Sequence, residues 1–173
     1  GSLPFLRALS TTADRLFLVV TAGLVLASLV LAVRSGAWAP WLGVALPALL
    51  VTTLQVYWLP GTRLSRCTVA LAWMVLSATL IHQTHGQLET HFTVIVLIAL
   101  LLYYRDWLPI VVAAGAIAVH HVLFYALQVQ GLPYPVFAAG SGLGTLALHA
   151  LYVVVEAGLL SLMAVQMRRQ LLL

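Results

Sequence analysis

Charge is what this sequence has least of: only 7% of its 173 residues are charged, and lysine is absent. A soluble domain cannot cover its surface with so few charged side chains. Hydrophobic residues make up 63% of the chain and form long runs without charge, which are typical of membrane spans. The composition therefore excludes a soluble globular protein and predicts an all-α integral membrane bundle in the lipid bilayer.

Two further features exclude other classes. The net charge of +4 comes from arginines scattered at the ends of the apolar runs, so they form no stripe for nucleic acid, and no nucleic-acid partner is expected. The single cysteine, Cys67, excludes an internal disulfide.

The uncharged runs predict six transmembrane helices in a single domain. They cover residues 16–33, 37–59, 67–85, 87–104, 108–129 and 143–167. Pro47 lies inside the second span and is expected to kink it. Gly1 and Ser2 are interpreted as a remnant of cloning and are left out of the fold.

The arginines predict the orientation of these spans. With six spans, both termini lie on one side of the membrane. That side holds seven arginines, Arg7, Arg15, Arg63, Arg66, Arg105, Arg168 and Arg169, and the other holds only Arg34. The positive-inside rule therefore places both termini in the cytoplasm.

The six histidines are the main candidates for function, because ionisable residues inside a membrane are costly. The uncharged stretches 67–81 and 92–104 reach roughly 22 and 20 Å, short of the ~30 Å hydrocarbon core. We therefore expect the polar hairpin with His82, His85, Glu89 and His91 to dip into the outer part of the membrane, shielded by protein.

The fifth and sixth spans bring further histidines to the same level. His121 lies roughly 12 Å and His149 roughly 10 Å below the outer surface, at 1.5 Å per residue. Two polar stripes at helical spacing are expected to face the bundle interior: His121, Tyr125 and Gln128, and His149, Tyr152 and Glu156. Separate spans are thus predicted to bring histidines together in the outer half of one bundle.

Several neutral imidazoles beside carboxylates are typical of a metal site. The candidate ligands are His85, His91, His120, His121, His149, Glu89 and Glu156. The two carboxylates can instead fix histidine tautomers. His82, Tyr125 and Tyr152 are expected to orient the ligands by hydrogen bonding to them without binding the metal. Copper is the first expectation, with zinc or iron as alternatives.

Other interpretations of the same residues stay open. Haem b, held by two of His91, His120, His121 and His149, is the alternative cofactor. The histidines can also cross-link helices or sense protons. An intramembrane metal-dependent hydrolase would use Glu89 or Glu156 as base, but no H-E-x-x-H spacing is present, and we expect no enzymatic activity. A transporter would need polar residues along the inner half, where there are few.

Four motifs extend through the second half of the chain. They are HGQLETHF at 85–92, YRDW at 104–107, HHVLF at 120–124 and HALYVVVE at 149–156. Together they resemble the six-span N-terminal sensor region of bacterial methyl-accepting chemotaxis proteins and of some diguanylate cyclases. Thr90 departs from that pattern, which leads us to expect Met at its position.

The resemblance implies a sensory input domain in the bacterial inner membrane. It implies a homodimer whose sixth helix leads into an attached cytoplasmic output domain. The expected function is therefore signal transduction, with the ligand held among the histidines in the periplasmic half of the bundle.

Overall fold

The computed structural model describes residues 2–171, and these residues form helices and no strand. The helices are α1 (Ser2–Ser35), α2 (Leu46–Trp58), α3 (Arg63–Gln83), α4 (Leu88–Leu100), α5 (Trp107–Val129) and α6 (Leu143–Gln170). A π-helical turn, Trp41–Ala45, precedes α2, and a 3₁₀ turn, Leu101–Tyr104, follows α4. Ser2, interpreted from the sequence as part of a remnant, begins α1, and Gly1 lies outside the described residues.

Among the described residues, five helices are long and apolar enough to cross a membrane. They span Pro4–Ser35, Trp41–Trp58, Arg63–Gln83, Trp107–Val129 and Leu143–Gln170. The apolar segment Leu88–Tyr104 is shorter. Its α-helix and 3₁₀ turn together reach roughly 28 Å, because the 3₁₀ turn rises about 2 Å per residue.

The first helix begins well before Leu16, where the sequence placed the start of the first span. The reason is Asp14, which is fully buried although it is charged. Its carboxylate accepts hydrogen bonds from the Gly61 amide (2.6 Å), the Ser65 hydroxyl (2.8 Å) and the Tyr104 hydroxyl (2.6 Å). Three partners, from the α2–α3 turn, α3 and the 3₁₀ turn, therefore hold the part of α1 that precedes the apolar run inside the bundle.

The third helix ends at Gln83, two residues before the predicted end of the third span. His85 adopts a left-handed conformation with φ of 55°, and the Gly86 amide donates to the Ile81 carbonyl (2.9 Å). This is the Schellman arrangement that ends many helices. His85 therefore lies beyond the last turn of α3 and shares no helix face with His82.

Pro47 distorts the second span through a π-helical turn. Proline has no N–H to donate to the carbonyl of Gly43, and its ring crowds that carbonyl. The wider π-helical turn Trp41–Ala45 comes immediately before and absorbs the misfit. The chain then continues as α2, with Pro47 in its first turn.

Helix α3 is the central helix and packs against α1, α2, α4 and α5. Its Trp73 is fully buried, with its ring 4.7 Å from that of Phe17, and its indole N–H donates to the Thr21 hydroxyl (2.9 Å). Nearer the other end of α3, the Gln83 side chain accepts from the Ser28 hydroxyl (2.8 Å). Aromatic packing and two polar cross-links thus tie α1 to the centre.

Helix α6 lies at the edge of the bundle, against α5 and, less extensively, α4. Of its described residues only Ala157 and Ala164 are buried, and its outward face is largely apolar and exposed. The start of α4, the second half of α5 and the start of α6 are adjacent, and they hold His91, His120, His121 and His149.

Candidate functional site

Three histidines from three different helices form a triangle. The ring centroids of His91 on α4, His121 on α5 and His149 on α6 lie 5.4 Å (His91–His121), 5.1 Å (His91–His149) and 6.1 Å (His121–His149) apart. His91 and His121 are buried, and His149 is half-buried. Because a metal–nitrogen bond is about 2.0–2.1 Å long, three imidazoles around one ion have centroids roughly 5 to 5.5 Å apart. The triangle is close to that size.

All three rings are held in the same way. Nδ1 of His91, His121 and His149 lies 2.9, 3.0 and 2.8 Å from the carbonyl oxygen four residues earlier on its own helix. A carbonyl only accepts, so in each ring Nδ1 carries the hydrogen and Nε2 of the neutral ring keeps its lone pair. Nε2 of His91 is shielded from solvent and has no hydrogen-bond partner among the described residues. This tautomer is the one that lets Nε2 bind a ligand.

Phe137 covers the triangle from the loop between α5 and α6. Its ring lies 5.6 Å from His91, nearly parallel at 12°, and 5.5 and 4.9 Å from His121 and His149. Only 2% of Phe137 is exposed. One aromatic side chain therefore contacts all three imidazoles and excludes water from one side of them.

Two residues hold this cover in place. The Gln128 carbonyl oxygen accepts from the amides of Val136 (2.9 Å) and Phe137 (3.1 Å), and its amide donates to the Phe137 carbonyl (2.8 Å). Gly86 lies beneath, where a Cβ atom would approach the Phe137 backbone to 2.6 Å. Sequence analysis placed Gln128 on the polar stripe with His121, but its contact with the loop became visible only in the structure.

His82 and His120 form a second pair next to the triangle. His82 Nδ1 donates to the Pro135 carbonyl (3.0 Å), which leaves its Nε2 to accept from Nε2–H of His120 (2.9 Å). Nδ1 of His120 then faces Nδ1 of His121 at 3.4 Å. A chain of imidazoles thus runs from His121 through His120 and His82 to the α5–α6 loop. The Phe124 ring packs on the rings of His82 and His120, with both centroid distances 4.6 Å.

A cavity of about 480 Å³ opens beside the triangle, between α4, α5 and α6. His91, His121 and His149 are in its lining, and the rest is mostly aliphatic, with Phe92 and Tyr152. Such a cavity favours a ligand that is largely apolar, or an ion whose only polar contacts are the imidazoles.

The remaining predicted site residues lie apart from the triangle. His85 and Glu89 are exposed at the α3–α4 turn. Glu156 is two helical turns along α6 from His149 and is not in the cavity lining, while one of its oxygens is buried without a hydrogen bond among the described residues. Tyr125 packs at 6.0 Å on Phe137. The structure therefore does not bring the two predicted carboxylates to the histidines.

Within residues 2–171, no three histidine, cysteine or acidic side chains converge closely enough to form a complete metal site. Two of the three centroid distances in the triangle match a shared ion, the third is about 0.6 Å longer, and each ring keeps Nδ1 on a backbone carbonyl. The three rings would have to turn about their side-chain bonds to point their Nε2 atoms at one position.

Comparison with models of known protein families, with curated proteins and with solved structures finds no match for this chain. The resemblance to the sensor region of chemotaxis proteins and diguanylate cyclases thus stays a prediction from the four motifs.

Proposed function

We propose that this chain is a membrane-embedded sensory input domain that binds one metal ion through His91, His121 and His149. The observation that carries the proposal is that three helices present three imidazoles with the same anchored Nδ1 and a free Nε2. Anchoring by a backbone carbonyl is the usual support of a metal-binding histidine. His91 Nε2, buried without a partner, would gain one in the bound state.

Copper is the ion that we propose first, in its monovalent state. Three neutral imidazoles supply no negative charge, and neither Glu89 nor Glu156 lines the cavity. The cost of burying an uncompensated charge rises steeply with its magnitude, so a +1 ion is favoured over a +2 ion here. Zinc and iron are the alternatives, since both also accept imidazole nitrogen.

Haem b is the second candidate, and the apolar cavity of about 480 Å³ favours it. The centroids of His121 and His149, 6.1 Å apart, would suit two axial ligands. The His91 ring, however, lies 5.4 and 5.1 Å from them and occupies space that the porphyrin would need. Haem binding would therefore require the His91 side chain to leave this space, whereas metal binding would require the three rings only to turn about their side-chain bonds.

The proposed topology has six crossings, with both termini in the cytoplasm of a bacterial inner membrane. Its support is that Leu6 near the start of the chain and Arg168 near its end line one pocket, as an even number of crossings requires. The Leu88–Tyr104 segment, roughly 28 Å long, would be the short crossing. Seven of the eight arginines then face the cytoplasm.

Signalling through α6 completes the proposal. Helix α6 carries His149 near its outer end and is the least buried of the long helices. A change at His149 can therefore move α6 against α5 and be passed to an attached output domain, and the open face of α6 suits a homodimer. The absence of a carboxylate from the cavity lining favours sensing over hydrolysis.

The decisive experiment is metal loading of the purified chain in detergent. We expect one copper ion per chain after incubation with copper(I), and X-ray absorption should count about three imidazole nitrogens. His91→Ala, His121→Ala and His149→Ala should each abolish stoichiometric binding, and the exposed His85→Ala is the matched control that should retain it. Because an alanine variant can misfold, each Asn variant is measured as well.

A Soret absorption band in the purified protein would show that the bound cofactor is haem b and that the proposal of a metal ion is wrong. If wild type binds neither haem nor copper, zinc or iron, the ligand proposal is wrong and the histidines serve to pack the helices.

A further inference from the structure

Five of the eight arginines converge on one cavity at the end of the bundle opposite the histidines. The cavity has a volume of about 370 Å³ and is formed by α1, the α2–α3 turn with the first turn of α3, the end of the 3₁₀ turn and the last turn of α6. Its arginines are Arg7, Arg63, Arg66, Arg105 and Arg168. Four separate parts of the chain thus place guanidinium groups around one space.

Acidic residues neutralise only part of this charge. Asp106 pairs closely with Arg66 and lies 4.0 Å from Arg168. The Asp14 carboxylate, which accepts from Gly61, Ser65 and Tyr104 beside the cavity, offsets one further positive charge. Within residues 2–171, Arg7, Arg63 and Arg105 form no ion pair. The cavity therefore holds a strong excess of positive charge.

Two of these arginines occupy positions that are unfavourable for arginine. Arg63 lies in the first turn of α3, and the N-terminal end of a helix already carries a positive partial charge. Arg105 has φ of 53°, a left-handed conformation that costs about 1 kcal/mol or more for a residue with a Cβ. The positive-inside rule needs arginines on this side of the membrane, but it needs neither of these positions. A bound anion would compensate for both.

The fold brings the walls of the cavity together through Gly61. Its φ is 69°, and a Cβ there would lie 2.6 Å from the Arg7 carbonyl oxygen and from the Thr11 hydroxyl. The turn that leads into Arg63 can approach α1 this closely only because the residue is glycine.

We infer that this cavity binds a phosphate group, and specifically the phosphodiester headgroup of an anionic phospholipid. Guanidinium groups match phosphate oxygens in geometry as well as in charge. Leu6 and Leu9 give the cavity an apolar wall that suits the glycerol and the first acyl carbons. Basic pockets between transmembrane helices are known to hold such headgroups.

The test measures lipid binding to the purified full chain in neutral detergent, by native mass spectrometry and by thermal stability. Phosphatidylglycerol should bind and raise Tm more than zwitterionic phosphatidylcholine does. Arg63→Gln and Arg105→Asn should each weaken that binding about tenfold, because each removes a charge-assisted hydrogen bond. Asparagine is used at 105 because it tolerates the left-handed conformation.

Arg34→Gln is the matched control, since Arg34 is exposed at the other end of α1, and it should leave lipid binding unchanged. The Tm of each variant without lipid shows whether it folds. If inorganic phosphate alone raises Tm and displaces phosphatidylglycerol, the phosphate site stands and its occupant is a soluble phosphate. Equal binding of the two lipids without an effect of phosphate, or unchanged binding in both folded variants, would overturn the inference.

Discussion

The backbone of Phe137 packs directly onto Gly86, so that a Cβ on Gly86 would lie 2.6 Å from the Phe137 carbonyl carbon. The turn between α3 and α4 thereby supports the loop residue that covers His91, His121 and His149. Gly86, which is not part of the histidine triangle, thus determines the position of the Phe137 backbone over it.

Replacing Gly86 with alanine should therefore destabilise the protein by about 2–3 kcal/mol, through both backbone strain and the clash with Phe137. Gly131→Ala is the matched control: its φ of 80° is similar, but no atom lies within 4 Å of its Cβ position. It should cost only about 1 kcal/mol. Unfolding titrations in mixed micelles measure both, and equal losses would show that Phe137 does not press on Gly86.

The His82–His120 pair should tune the site without being part of it. If the proposed metal site is right, His82→Ala and His120→Ala should each lower the affinity for copper about 10- to 100-fold while one ion still binds per chain. The double variant should be little worse than either single variant, because both break the same hydrogen bond. Titration with a competing chelator measures this. Loss of stoichiometry in His120→Ala alone would make His120 a ligand.

Asp14→Asn should destabilise the bundle by about 1–2 kcal/mol, because charge-assisted hydrogen bonds to the carboxylate become weaker neutral ones and the Tyr104 hydroxyl must change from donor to acceptor. The exposed Glu89→Gln is a control of the same chemistry and should stay within about 0.5 kcal/mol of wild type. The free energy of unfolding in mixed micelles is the measurement. A neutral result for Asp14→Asn would mean that the three hydrogen bonds contribute little.

If the proposed signalling is right, metal binding should move the C-terminal end of α6 relative to the central helix, α3. We would attach spin labels at Leu64→Cys and Gln170→Cys, both exposed, in a Cys67→Ser background, and measure their distance with and without copper(I). The distance distribution should shift on loading and stay unchanged in the same protein carrying His149→Ala. An unchanged distribution in the loaded parent would refute signalling through α6 while leaving the metal site intact.

Much of the fold could be predicted from local sequence properties. Uncharged apolar runs have to be helical in a bilayer, since only a helix satisfies its own backbone hydrogen bonds there. Residues such as Asp14 and His85 show the limit of this reasoning. Hydropathy does not reveal that Asp14 accepts hydrogen bonds from three donors on other elements. It also does not reveal that α3 ends before His85, which adopts a left-handed conformation in the turn that follows.

Helical spacing and depth by themselves predicted that His121 and His149 lie at one level of one bundle, with His91 somewhat shallower, because each residue of a spanning helix advances by a fixed rise. Which histidine pairs with which, and which nitrogen stays free, was decided only by the tertiary structure. Those properties depend on the distances between α3, α4, α5 and α6 and on the path of the α5–α6 loop. The periodicity of a single helix contains no information on either, and so the cover by Phe137 and the convergence of five arginines emerged only from the folded chain.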